Sequence, residues 1–90
     1  MRNYIVGPSS TGKTRELLNA AKRSGATVVC KNPEAMLVKA NNYGMFGLRF
    51  CSYSDIGSLN PGENIVIDDL DEFIAFKFNK SLCGFSVTEE

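Results

Sequence analysis

Apolar and polar residues run along this chain in blocks whose period changes, and each change marks an element. Asn3-Tyr4-Ile5-Val6 is a short apolar run that predicts a strand. From about Lys13 to Arg23, Leu17, Leu18 and Ala21 fall on one helical face, with Arg15, Glu16, Asn19, Lys22 and Arg23 left for water. Ser24-Gly25 predicts the stop. Ala26 to Cys30 is β-branched without polar alternation, which suits a parallel strand covered on both faces. Asn32-Pro33 opens a second helix, with Asn as N-cap, Pro at the first position, and Met36, Leu37 and Ala40 as its apolar stripe. Asn41-Asn42 and Gly44 end it.

The period then shortens to two. Phe46, Leu48 and Phe50 alternate with Gly47, Arg49 and Cys51, so Phe46 to Tyr53 predicts a strand with one wetter face, placed toward the outside of the sheet. Ser54-Asp55 caps a helical turn carrying Ile56 and Leu59, and Asn60-Pro61-Gly62 is a turn. Asn64 to Asp69 is an apolar strand ending in two acids, followed by a helix from Asp69 to about Lys77. Leu82 to Thr88 predicts a last strand, and Glu89-Glu90 a frayed end. Strand and helix alternate, so the expected class is α/β with a mainly parallel sheet of about five strands. Ninety residues hold one domain, spanning 1–90.

Composition narrows this. A hydrophobic share of 43% and a charged share of 22% describe a globular chain. Lys+Arg and Asp+Glu are both 10, which argues against a broad electrostatic grip on nucleic acid or membrane. No apolar run approaches the ~20 residues that span a bilayer, and the N-terminus lacks a signal-peptide pattern. Cys30, Cys51 and Cys83 lack metal-like spacing, so reduced, buried thiols in a cytoplasmic protein are expected. The chain has no histidine, the commonest general base and metal ligand.

The chemistry concentrates in Gly7-Pro8-Ser9-Ser10-Thr11-Gly12-Lys13-Thr14, which fits G-x-x-x-x-G-K-[ST] with a strand before it and a helix after. Glycines let successive N–H groups turn inward around phosphate oxygens, and the following helix aims its positive end at the same atoms. In such a loop Lys13 reaches the β and γ phosphates, and the Thr14 hydroxyl ligates magnesium. The four fixed positions coincide by accident in well under about 1% of chains this long.

The segment resembles the P-loop NTPase superfamily. The resemblance implies a three-layer α/β/α domain and a nucleoside triphosphate, with ATP as the first candidate. It would be bound by Gly7, Pro8, Ser9, Ser10, Thr11, Gly12, Lys13, Thr14 and Arg15. Asn64-Ile65-Val66-Ile67-Asp68-Asp69 is similar to the Walker B element. Two adjacent acids ending that strand resemble the RecA-like, helicase and AAA branch. Asp68 is then the magnesium carboxylate and Asp69 the base, where that branch usually has Glu. Asp is one methylene shorter, so slow hydrolysis is expected, with Glu72 as an alternative base. Lys13 and Asp69 are the implied catalytic pair; Thr14 and Asp68 are the implied magnesium ligands.

The same resemblance implies a phosphate sensor at the end of the next strand, Ser86 or Thr88. No arginine finger stands out among Arg15, Arg23 and Arg49. The first thirty or so residues are also similar to thymidine kinases, but lid, zinc-ligating cysteine pairs and nucleoside pocket have no counterpart. No residues remain for a strand beyond Asn3–Val6, so that strand is expected at a sheet edge. With Phe73, Phe76, Phe78 and Phe85 crowding the last third, this suggests a homo-oligomer or a larger protein partner. Two functions follow: an Mg-dependent NTPase, or a nucleotide-gated docking module like small phage-encoded proteins.

Overall fold

Left-handed glycines set the first boundaries. The structure, a computed structural model, describes residues 12–88. Gly12 precedes helix α1 (Lys13–Ser24) with φ 80°, and Gly25 ends it with φ 66° and its N–H on the Ala21 carbonyl. Both angles favour a residue without Cβ. Released by Gly25, the chain enters strand β1 (Thr27–Cys30), buried along its whole length. Helix α2 (Pro33–Asn42) then starts as its sequence dictates, with the Asn32 side chain accepting from the Ala35 N–H at 3.2 Å.

Strand β2 (Arg49–Ser52) runs into a 3₁₀ helix (Tyr53–Ser58). Strand β3 (Ile65–Ile67) leads to helix α3 (Leu70–Phe78). The sheet order is β2-β1-β3, all parallel, with Thr27 beside Arg49 and Ile65, and Val29 beside Cys51 and Ile67. Side chains alternate across it. Val28 and Cys30 face α1 and α2 and pack with Leu18, Ala21, Met36 and Ala40. Val29 and Cys51 face the other way and pack with Tyr53 and Phe73. Helices therefore cover both faces of a small parallel α/β sheet.

Several expectations change. The described sheet has three strands rather than about five. Asn3–Val6 lies outside the described residues. Residues 81–88 form no strand. Phe85 and Val87 there are exposed, so the alternation has no buried face to hold it. Cys83 is exposed for the same reason, while Cys30 and Cys51 are buried free thiols as expected. The strand predicted over Phe46–Tyr53 shrinks because Gly47 adopts φ 80°, which ends the extended run, and Tyr53 starts the 3₁₀ helix instead. Leu37 leaves the apolar stripe of α2 and is exposed. Among the described residues, no helix is long and apolar enough to cross a membrane.

Candidate functional site

Helix α1, which starts at Lys13, packs against β3, which leads to Asp68. The Asp68 N–H donates to the Val29 carbonyl at 2.9 Å, which extends the ladder one residue past β3 and fixes Asp68 at the C-terminal edge. Lys13, the first residue of α1, is half-buried, and its charge acts on the carboxyls of both Asp68 and Asp71. The lysine of the loop motif and the acid of the strand motif, separated by more than fifty residues in sequence, thus share one electrostatic neighbourhood. Thr14 is half-buried beside Lys13, and Gly12 supplies the left-handed entry, its carbonyl accepting from the Glu16 N–H at 3.2 Å. Among the described residues, no side chain caps this helix start. Gly7, Pro8, Ser9, Ser10 and Thr11 lie outside the described residues.

Burial pushes the Asp68 carboxyl above the ordinary carboxylate range, and the Lys39 and Lys13 ammonium groups pull it back. Asp69 is exposed and holds φ 61°, ψ 72°, the left-handed region, at the N-cap of α3. Its carboxyl is pushed up to about 6, first by a hydrogen bond with Asp71 and then by burial and the neighbouring charges of Asp71 and Glu72. The same contact holds Asp71 below the usual range. The two carboxyls therefore titrate together, and Asp69 is the one that keeps its proton to higher pH. Glu72 accepts from Lys31 Nζ at 3.1 Å, so the alternative base has a salt-bridge partner.

The candidate cations separate by position. Arg49 begins β2, donates to the Gly25 carbonyl at 3.0 Å and sits 3.7 Å from Glu63, at the opposite end of the strands from Asp68. Arg15 lies over the Tyr43 ring, 5.6 Å from its centroid, on the exposed side of α1. Neither arrangement directs a guanidinium at Asp68. Ser86 and Thr88 fall in the irregular segment, so the strand that would have carried a sensor is missing.

Sequence reasoning missed Tyr53. Its ring is buried against Phe73, and its hydroxyl donates to the main-chain carbonyls of Asp68 and Asp69 at 2.6 and 3.3 Å. A lone tyrosine at a strand end carries no motif; only the packing of the 3₁₀ helix under α3 brings it there.

Among the described residues, no three His, Cys, Asp or Glu side chains are grouped to hold a metal ion by themselves. The donor set still fits magnesium in a nucleotide complex. A hydroxyl and a carboxylate are hard oxygen donors, and phosphates and water complete the shell in such sites. No protein-family model matches this chain, and no curated protein or solved structure matches it closely enough to carry an argument.

Proposed function

We propose that this chain binds a nucleoside triphosphate, ATP in the first instance, together with magnesium, and hydrolyses it slowly. The observation that supports the reading most is the packing of α1 against β3, which sets the helix that starts at Lys13 beside the strand that leads to Asp68. A glycine-rich loop signature ends at Lys13-Thr14, an apolar strand ends at Asp68-Asp69, and the two elements that carry them are neighbours in the fold. Gly7 to Gly12 cradle the phosphates through main-chain N–H groups, with the start of α1 adding its positive end. Lys13 holds the β and γ phosphates, and Arg15 flanks the same helix start. Thr14 and Asp68 hold magnesium, which screens the phosphate charge. Asp69 takes the proton of the attacking water. Its raised carboxyl lies nearer neutrality than an ordinary aspartate, which suits a base, while its short side chain limits reach. A sheet completed by Asn3–Val6 and a cytoplasmic setting belong to the same proposal.

Phosphate release from ATP, followed in wild type and in Lys13→Ala, tests it. Release that collapses in the variant supports the site; unchanged release ends it.

A second reading rests on Phe76, Phe78 and Phe85, which are 59%, 56% and 61% exposed. In it, nucleotide binding gates docking of this aromatic side onto a second copy or a larger protein, with little hydrolysis.

A further inference from the structure

We infer that Tyr53 is a positioning residue that sets the magnesium-side carboxylates, acting through the main chain. The inference rests on the reading of Asp68 and Asp69 as those carboxylates.

Tyr53 is 2% exposed, yet its hydroxyl finds acceptors in the two residues where β3 turns into α3. The Asp69 carbonyl also accepts the Phe73 N–H at 3.0 Å, the first bond of α3, so the helix anchors one side of this turn. The Asp68 N–H is tied to Val29 in the sheet. Between these anchors Asp69 sits at φ 61°, a conformation that non-glycine residues keep only when their surroundings enforce it. Tyr53 is the side chain that reaches the turn from inside. The ring has no freedom to swing away: Phe73 meets it edge-on with centroids 5.3 Å apart, and Phe76 lies 5.8 Å away. A phenol is protonated at neutral pH in any case, so the hydroxyl is available as a donor to both carbonyls.

Without the hydroxyl, the turn can relax toward negative φ at Asp69. That rotates both carboxyl-bearing Cβ atoms relative to Lys13. The ring contacts would survive in a phenylalanine. The effect should therefore appear in the part of binding that needs the carboxylates, and not in the grip of the loop on phosphate.

The test titrates ATP into the full chain, once with magnesium and once with a chelator, for wild type, Tyr53→Phe and Phe73→Leu. Tyr53→Phe should weaken binding with magnesium about 10-fold, as loss of groups that orient metal ligands does. Binding without magnesium should stay unchanged. Phe73→Leu perturbs the same aromatic cluster but keeps the hydroxyl, so it should lower Tm and leave the magnesium preference intact. A wild-type magnesium preference in Tyr53→Phe, or an equal loss in Phe73→Leu, overturns the inference while leaving nucleotide binding standing. Absence of ATP binding in wild type overturns the nucleotide reading and this inference with it. Should Tyr53→Phe fail to fold, wild type decides by NMR. Adding magnesium to the ATP-bound chain should shift the Tyr53 ring and the Asp68 and Asp69 carbonyl signals together, and unshifted signals overturn the inference.

Discussion

Asp69 concentrates the conflict between stability and chemistry in one residue. Its backbone is left-handed, and its carboxyl is raised from 3.8 to about 6. A carboxyl whose folded value is raised binds its proton more tightly in the folded state. Stability therefore falls as pH rises from about 4 to about 6 through this group, and the loss is complete above that. Asn tolerates the left-handed region better than most residues and carries no charge to repel Asp71 and Glu72. Asp69→Asn should therefore unfold at higher denaturant concentration at neutral pH. Asp69 is exposed, so screening keeps the gain to about 0.5–1 kcal/mol. The same variant should lose phosphate release. A neutral-pH stability at or below wild type would show that the charge of Asp69 beside Asp71 and Glu72 does not cost stability.

At the scale of elements, the ends of β1 do different work. Its far end is latched: the buried Thr27 hydroxyl donates to Glu63 Oε1 at 2.7 Å, and Glu63 Oε2 accepts the Asn60 N–H at 3.2 Å. The Thr27 hydroxyl is the main cause that lowers the Glu63 carboxyl below 4.5, with Asn60 and Arg49 adding to it. A depressed carboxyl contributes stability above its ordinary value and loses it as pH falls through the folded value. Thr27→Val keeps the shape and removes the donor. It should lower Tm at neutral pH by about 4–8 °C, the shift expected from one net hydrogen bond in a domain this small. It should also shrink the loss of Tm below pH 4.5, the ordinary value of the Glu63 carboxyl. An acid limb unchanged from wild type would contradict the latch.

Both β1 and the helices around it were legible in the chain because their signals are local. Gly25 stops α1, Asn32-Pro33 starts α2, and Val28-Val29-Cys30 can only be a strand buried on both faces. The stretch Leu82–Thr88 misled for the converse reason. Its alternation is local, but a strand is held by a buried face, and Phe85 and Val87 are exposed. At the candidate site, Lys13, Thr14 and Asp68 are named by motif spacing, and their roles belong to the proposal. The Tyr53 contact, the left-handed Asp69 and the Asp69–Asp71 hydrogen bond arise from packing, which no spacing encodes.

Across the whole molecule, the two sheet faces are unequal. Residues facing α1 and α2 close a core of Leu18, Val28, Cys30, Met36 and Ala40. The other side buries Phe73 but leaves Phe76 and Phe78 more than half exposed, since the nine-residue helix α3 turns only one aromatic row inward, and Phe85 is exposed in the irregular segment after it. If these rings mediate docking between copies, wild type should sediment above its 9.9 kDa monomer mass at micromolar concentration. The variant Phe76→Ser with Phe85→Ser should then sediment as a monomer. A wild-type monomer at every concentration, with or without ATP, removes the self-docking reading and leaves the nucleotide site untouched.

The central claim is that Lys13, at the start of the helix that packs beside β3, holds a nucleotide phosphate. Calorimetric titration of Mg-ATP into wild type and Lys13→Ala, side by side, tests it most directly. The account predicts saturable one-site binding in wild type and at least a ~100-fold weaker or undetectable signal in the variant, since a charge-assisted phosphate contact in a partly buried site accounts for several kcal/mol. No binding to either chain, or equal binding to both, would contradict it.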